Sequence, residues 1–367
     1  MLAKSEKEFI ELFNTVEDPR DDDKTLHSLS EILFLAIAGV LSCAESWREM
    51  VKYGRMNIDF LRQYFPYEHG IPSKSLLSRV FGSIDKRNMG KFLIEFAAWF
   101  YKNEGEEIIA LDGKRIRGSG VHLLHALATK CGIVLAQVDI NNKANESTAI
   151  PAVLELLNIE GAVVTADALN CQKPIAAKII DKGGGYFLSL KGNQGTLFTE
   201  TQSYFVDRTQ CDYSESISKE HGRIEVRKCW STDDIEWLIS VHGGWKELKS
   251  ICCIERERFI KGVSRIETAF YISSTKASAS KHLNYSRQHW GVESMHWVLD
   301  LVFNEDRSTI SAKNAAQNMA VIRKLVLNMI KRYKAATGDE TAIKTMRKVS
   351  SWSSAEAAKV LRFMAAN

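Results

Sequence analysis

The order of five short strand-type segments between Glu107 and Lys191 constrains this chain more than any other feature. Ile108-Ile-Ala-Leu-Asp112, residues 123–129 and residues 133–140 read as three strands. The linkers at 113–122 and 130–132 contain glycine and suit antiparallel connections. Residues 148–158 have helical period, with Pro151 tolerable in the first turn. Ala162-Val-Val-Thr-Ala-Asp167 reads as a fourth strand, residues 172–182 as a helix stopped by Gly183-Gly-Gly, and Tyr186-Phe-Leu-Ser-Leu-Lys191 as a fifth strand. The chain therefore offers three antiparallel strands followed by helix-separated parallel ones.

That order is the one found in ribonuclease-H-like folds, an analogy of fold that carries no function by itself. The expected class is α/β: a ribonuclease-H-like core with a mixed five-stranded sheet and helices, at residues 101–322. A β-rich insertion at about 195–270 interrupts it, marked by alternating segments such as Ile224-Glu-Val-Arg-Lys-Cys-Trp. Residues 1–100 form a helical N-terminal domain. Within it Ser28-Leu-Ser-Glu supplies capping-type residues before an apolar stretch, and Gly70-Ile-Pro-Ser precedes another helix start. A long helix is expected over about 281–303. Residues 323–367 are expected to be a basic helical tail.

The net charge of +4 is unevenly spread. Residues 1–23 carry eight acids against three bases, and residues 323–367 carry ten bases against three acids. A basic tail beside an acidic head fits a polyanionic partner, although lysines and arginines that merely solvate terminal helices would give the same count. The longest apolar run, residues 32–44, is too short to span a bilayer, and the N-terminal residues lack a signal-peptide core. Seven cysteines without a C-x-x-C suit reduced thiols. The expectation is a cytoplasmic protein with no membrane contact.

Asp112 and Asp167 each close a strand. Alone, the first could be a turn residue before Gly113 and the second a cap for the next helix. If their strands are neighbours, the two carboxylates lie side by side and repel, which favours a shared proton or a bound divalent cation. Glu293 on the helix after the insertion could complete a hard-oxygen site for Mg2+ or Mn2+. On that helix His289, Glu293, His296 and Asp300 share one face, while Trp290 and Trp297 occupy positions that could pack. A solvated stripe with a His–Glu pair is the plainer reading of that face. The single E-x-x-H, Glu293 to His296, falls short of a di-iron bundle, which needs two copies and two further glutamates.

These residues resemble the DDE transposases of bacterial insertion sequences, most closely the H-repeat-associated branch. The matching segments are Ala110-Leu-Asp-Gly-Lys-Arg-Ile-Arg117, Glu146-Ser-Thr-Ala-Ile-Pro151, Thr165-Ala-Asp-Ala-Leu-Asn-Cys-Gln-Lys173, Leu190-Lys-Gly-Asn-Gln194, His221-Gly-Arg-Ile-Glu225 and Arg287-Gln-His-Trp-Gly-Val-Glu-Ser-Met-His-Trp-Val-Leu-Asp300. Asp18-Pro-Arg20 and Gly70-Ile-Pro72 also fit, so the resemblance covers nearly the whole chain in order. It implies a metal-dependent DNA-cleaving and strand-joining enzyme with a triad of Asp112, Asp167 and Glu293. Related insertion-sequence enzymes carry a tyrosine, an arginine, the glutamate and a lysine at fixed helical spacing. Here Arg287 follows the tyrosine slot, but that slot holds Ser286, the second arginine slot His289 and the lysine slot Asp300.

On this reading Asp112 bridges two Mg2+ ions roughly 3.5–4 Å apart, with Asp167 and Glu293 each holding one and Mn2+ an accepted substitute. No organic cofactor is expected. Lys114, Arg115 and Arg117 would hold backbone phosphates, Lys191 and Asn193 would position the DNA end, and Arg287, His289, Trp290 and His296 would contact DNA from the late helix. Lys74 and Arg79 are the candidates for reading bases. The expected partners are double-stranded DNA at the element's terminal repeats, target DNA, and a second copy of the chain in a homodimer on paired ends. A catalytically silent DNA-binding protein and a structure-specific nuclease of the same fold are the alternatives.

Overall fold

The computed structural model describes residues 4–21, 25–101, 107–140, 146–220, 223–260 and 263–366. The N-terminal part is helical: α1 (Lys4–Leu12), α2 (Leu29–Leu41), α3 (Trp47–Met56), α4 (Ile58–Leu61), α5 (Lys74–Ser83) and α6 (Lys86–Phe100). The capping signal at Ser28 is realised. Its hydroxyl accepts from the Glu31 amide and the Glu31 carboxylate accepts from the Ser28 amide. Glu31 is buried because its other oxygen accepts from the Tyr67 amide at 2.5 Å.

Then come β1 (Ile108–Arg115), β2 (His122–Ala128), β3 (Ile133–Ile140), α7 (Glu146–Leu156), β4 (Val163–Ala166), α8 (Lys173–Asp181) and β5 (Gly185–Leu190). β1 pairs antiparallel with β2 and parallel with β4, and β4 pairs parallel with β5. The strand order read from the sequence is the order observed.

The insertion differs from expectation in how it joins the rest. It comprises α9 (Thr196–Tyr204), β6 (Asp212–Glu220), β7 (Arg223–Thr232), α10 (Glu236–Val241), β8 (Ser250–Ile260) and β9 (Val263–Ser273). Phe270–Ser273 of β9 pair antiparallel with Leu190–Phe187 of β5, so all nine strands form one sheet in the order β3-β2-β1-β4-β5-β9-β8-β7-β6. The insertion thereby covers the edge that β5 would otherwise expose.

The long helix expected over 281–303 is two helices, α11 (Ala279–His289) and α12 (Gly291–Leu301), broken at Trp290. Three helices complete the chain: α13 (Lys313–Thr337), α14 (Ile343–Trp352) and α15 (Ser354–Ala366). The basic tail expected from residue 323 is not a tail. Position 323 falls inside α13, every residue of which from Ala315 to Ile330 is buried. Asn318 of α13 donates to the Phe81 and Ile84 carbonyls, and Asn328 both accepts from and donates to Val134 of β3. Arg347 of α14 is buried on the Val40 carbonyl and on Glu45. Three of the bases counted as tail charge are thus internal, and the first and last helices share one core against one face of β1–β3. The other sheet face packs against α7 and α8.

Among the described residues no helix is long and apolar enough to cross a membrane, and all seven cysteines are free thiols.

Candidate active site

Parallel pairing sets the site. Leu111 of β1 lies opposite Ala166 of β4, so Asp112 and Asp167 follow side by side where that pairing stops. Asp167 closes β4 as expected, but Asp112 does not close its strand, because β1 runs on to Arg115 and Asp112 pairs with His125 of β2. Asp167 also does what a capping residue does: its carboxylate accepts from the Asn170 amide at 3.2 Å and opens a short 3-10 turn. Burial pushes the Asp112 carboxyl up to about 7, helped by the charges of Glu146, Asp167 and Glu293 in that order.

Glu146 was not among the residues singled out from the sequence for this site. It opens α7 and is buried beside Gly113, where a Cβ would stand 2.2 Å from its Oε2. The Asn170 side-chain amide donates to Glu146 Oε1 at 2.6 Å and to Asp167 Oδ1 at 2.8 Å. One buried amide thus ties the fourth carboxylate to the second aspartate. The only signal in the sequence was the Glu146 segment itself, which reads equally well as an acidic first turn.

Of the four residues expected to share one helical face, His289 and His296 turn toward the sheet and Asp300 pairs with Lys114, whereas Glu293 is exposed, so the face is not the solvated stripe that its spacing also allowed. His289 Nδ1 meets Thr165 Oγ1 at 3.0 Å, one strand position from Ala166. His296 Nδ1 lies 3.6 Å from Asp112 Oδ2, and its Nε2 shares a hydrogen with His125 Nδ1 at 2.9 Å. Burial holds His289 down at about 4. Burial, with the charges of Lys114 and Lys324, holds His296 down at about 3. Both rings are neutral at pH 7, so His296 meets Asp112 as an uncharged partner. Glu293 stands at the exposed side of α12, its carboxyl raised by burial against the lowering charge of Arg256. Trp290 and Trp297 do not pack inside. They are 42% and 60% exposed, and the Arg256 guanidinium lies 4.7 Å above the Trp290 ring.

The basic residues divide. Lys114 is buried and ion-paired with Asp300 and, at 2.7 Å, with Glu305. It is therefore engaged inside the protein and is not the phosphate contact expected of it. Arg115 and Lys191 are exposed. Arg117 is exposed along most of its side chain and leans on Asp306 at 3.3 Å. Asn193 donates to the Ala168 carbonyl at 2.7 Å and so braces the turn after Asp167. Arg287 is exposed on α11, and Lys74 and Arg79 are exposed on α5, far along the chain from the carboxylates. Of the HGRIE segment, His221 and Gly222 lie outside the described residues.

A hard divalent cation suits this donor set of carboxylates and one amide. Among the described residues no three His, Cys, Asp or Glu side chains already converge as a metal cage.

Comparison with known proteins agrees over most of the chain. The family model described as "Transposase DDE domain" matches residues 97–329, and the one described as "DDE_Tnp_1-associated" matches residues 10–97. The candidate transposase YncI of Escherichia coli O157:H7 is 34% identical over 345 residues, covering 90% of this chain and 88% of that protein. The H repeat-associated candidate transposase YhhI of Escherichia coli K12 is 34% identical over 341 residues, covering 88% of this chain and 90% of that one. A shorter match, 39% over 74 residues, is to a protein named inactive transposase YbfQ, also of strain K12. Among solved structures, a piggyBac transposase synaptic complex with hairpin DNA overlays 99% of this chain at a TM-score of 0.43 and 10% identity, a likeness too low to fix a shared fold.

Proposed function

The chain belongs to the transposase DDE-domain family, and we propose that it cuts and joins DNA strands at the ends of an insertion sequence, using divalent metal. The observation that carries the proposal is the parallel register of β1 and β4, which brings Asp112 next to Asp167, with Glu293 supplied from the exposed side of α12. The core is read as ribonuclease-H-like on the same strand order.

Asp112, Asp167 and Glu293 are the residues that would hold two Mg2+ ions, or Mn2+ in their place. When bound, such ions activate the attacking oxygen and stabilise the leaving one. The raised Asp112 carboxyl supports the assignment, because crowded carboxylates gain most from a cation between them. The protein's own part is preorganisation. Asn170 fixes Asp167, His296 faces Asp112 without adding charge, and Asn193 braces the turn. Arg115, Arg117, Lys191 and Arg287 are exposed and available to backbone phosphates, which orient DNA without reading it. Lys74 and Arg79 on α5 are the proposed base readers. A homodimer on paired ends follows from the need to hold two ends at once.

The test is cleavage of a plasmid carrying the DNA that flanks the gene. Wild type is compared with Asp112→Asn and Glu293→Gln in Mg2+, Mn2+ or EDTA. The expected result is cutting at the element boundary that requires metal and both carboxylates. Well-folded protein that binds those ends without cutting is a silent DNA-binding protein. Cutting that follows DNA structure and ignores the ends is a nuclease.

A further inference from the structure

We infer that the insertion carries a built phosphate-binding surface, in which buried Glu225 fans Arg227, Arg256 and Arg258 toward the DNA strand lying beside Glu293. The inference rests on the transposase reading and adds to it a second element of contact, drawn from β7 and β8.

Glu225 and Arg227 of β7 stand opposite Arg258 and Arg256 of β8, so the four side chains share one face as a square tile. Glu225 is 3% exposed. Its Oε1 lies 2.9 Å from Arg227 Nη2 and 3.8 Å from both Arg256 Nε and Arg258 Nε. Arg287 comes up from α11 against the same tile and depresses the Arg227 pKa, although burial is the larger cause. Arg256 is further paired with Glu267 of β9. Four guanidinium groups therefore gather around two carboxylates.

A ladder of charges on a solvated ribbon is the plainer alternative, and two features speak against it. The Arg227, Arg256 and Arg258 side chains are only 18%, 16% and 29% exposed, so they are folded over the tile instead of reaching into water. Arg227 and Arg256 are also directly opposite, an arrangement of like charges that disfavours the sheet by itself. Arg227, Arg287, Glu225, Trp290 and Ser294 enclose a cavity of about 250 Å3, against the turn of α12 that carries Glu293. Guanidinium groups match phosphodiester oxygens in pairs, as they match carboxylates, and the position of Arg227 and Arg287 against the turn that carries Glu293 favours a nucleic-acid backbone.

The experiment measures binding of full-length protein to duplex DNA bearing the element end, over a range of salt. Wild type is compared with Arg227→Gln, Arg258→Gln and Arg227→Lys, each first checked by thermal melting. Single methylphosphonates neutralise, one at a time, the phosphates flanking the cut. Loss of one phosphate contact should lower the slope of log affinity against log salt by about 0.9. Arg227→Gln and Arg258→Gln are each expected to show that loss, and Arg227→Lys to retain the slope. At least one methylphosphonate that weakens wild type should cost Arg227→Gln nothing further. Wild-type slope in both glutamine variants, with every methylphosphonate costing them what it costs wild type, overturns the inference and leaves the transposase reading standing. Wild type that neither binds nor cuts the ends overturns both.

Discussion

The Lys114 ammonium meets the Glu305 carboxylate 2.7 Å away inside the protein, and Lys324 of α13 reaches the other oxygen of the same group at 3.4 Å. Burial alone would raise the Glu305 carboxyl, but Lys324 and Lys114 hold it down at about 2. This cluster fastens β1, the strand of Asp112, to the central helix. Removing one partner leaves buried charge behind, so Glu305→Gln is expected to destabilise the protein by about 3–5 kcal/mol in a urea melt. Because the folded carboxyl titrates below the unfolded one, its contribution is complete above about pH 4.5 and fades as pH falls toward about 2. An acid melt that Glu305→Gln leaves unchanged would contradict this. Lys114→Met should lower stability in the same assay while leaving the salt slope of DNA binding at the wild-type value.

Asp112 has the opposite sign. Its folded carboxyl sits near 7 against 3.8 unfolded, so the folded state holds an extra proton between those values. Stability of metal-free protein should therefore decline as pH rises from about 4 to about 7. At pH 8 Asp112→Asn should be more stable than wild type by on the order of 1–3 kcal/mol, yet inactive. Mg2+ should raise the wild-type melting temperature, increasingly so with pH, and leave Asp112→Asn unmoved. Equal Mg2+ shifts in both proteins would remove Asp112 from the metal site.

The Asn170 bridge makes a prediction about rate. Groups that orient metal-binding side chains typically matter by 10–100-fold. Asn170→Ala should slow cleavage by about that factor with a higher Mg2+ requirement, and excess Mg2+ should recover part of the rate. A loss of folding with no change in the Mg2+ requirement would mark Asn170 as structural only.

Gly113 has no space for a methyl group while Glu146 is in place. Gly113→Ala should lower the melting temperature by several degrees, and adding Glu146→Ala should return part of it. Strict additivity of the two changes would show that they do not meet.

Arg79 and Lys74 lie on a different element from the carboxylates. Alanine at Arg79 should reduce the preference for element ends over random DNA by about 1–3 kcal/mol if it pairs with a base edge. A uniform loss on all sequences would reduce it to a phosphate contact.

The strand order and the neighbouring aspartates were legible, because strand period and strand order fix which residues lie side by side; the inward turn of His289 and His296 was not, because helical spacing sets a shared face without saying which way it turns. The same rule explains one misreading. Lys114 is two residues from Asp112 on a strand and so shares its face, toward the late helices, yet a lysine followed by an exposed arginine looks like surface. Its partners Asp300 and Glu305 lie about 190 residues away, beyond local pattern. Arg323 and Lys324 misled in the same way, since a charge count does not register the buried Glu305 carboxylate that meets Lys324 or the Ser308 hydroxyl that accepts from Arg323. Glu146 was hidden for a different reason: its importance comes from Asn170, a contact made only when α7 and β4 are brought together.

The pairing of β5 with β9 has a mechanical side. β8 and β9 are eleven residues long, roughly 35 Å at about 3.3 Å per residue, while only the last four residues of β9 are clamped to β5. The ribbon is a cantilever rooted in the strand next to that of Asp167. Its outer end carries exposed Ile217, Val263 and Ile266, and the arginine tile sits part of the way along. A load on the outer end is borne at the root by β5 and by α11, which packs on β7 and β8 and is tied to β7 through Ser231 and His282. Whatever grips the ribbon therefore leans on the strand next to that of Asp167 and on the helix that carries His289.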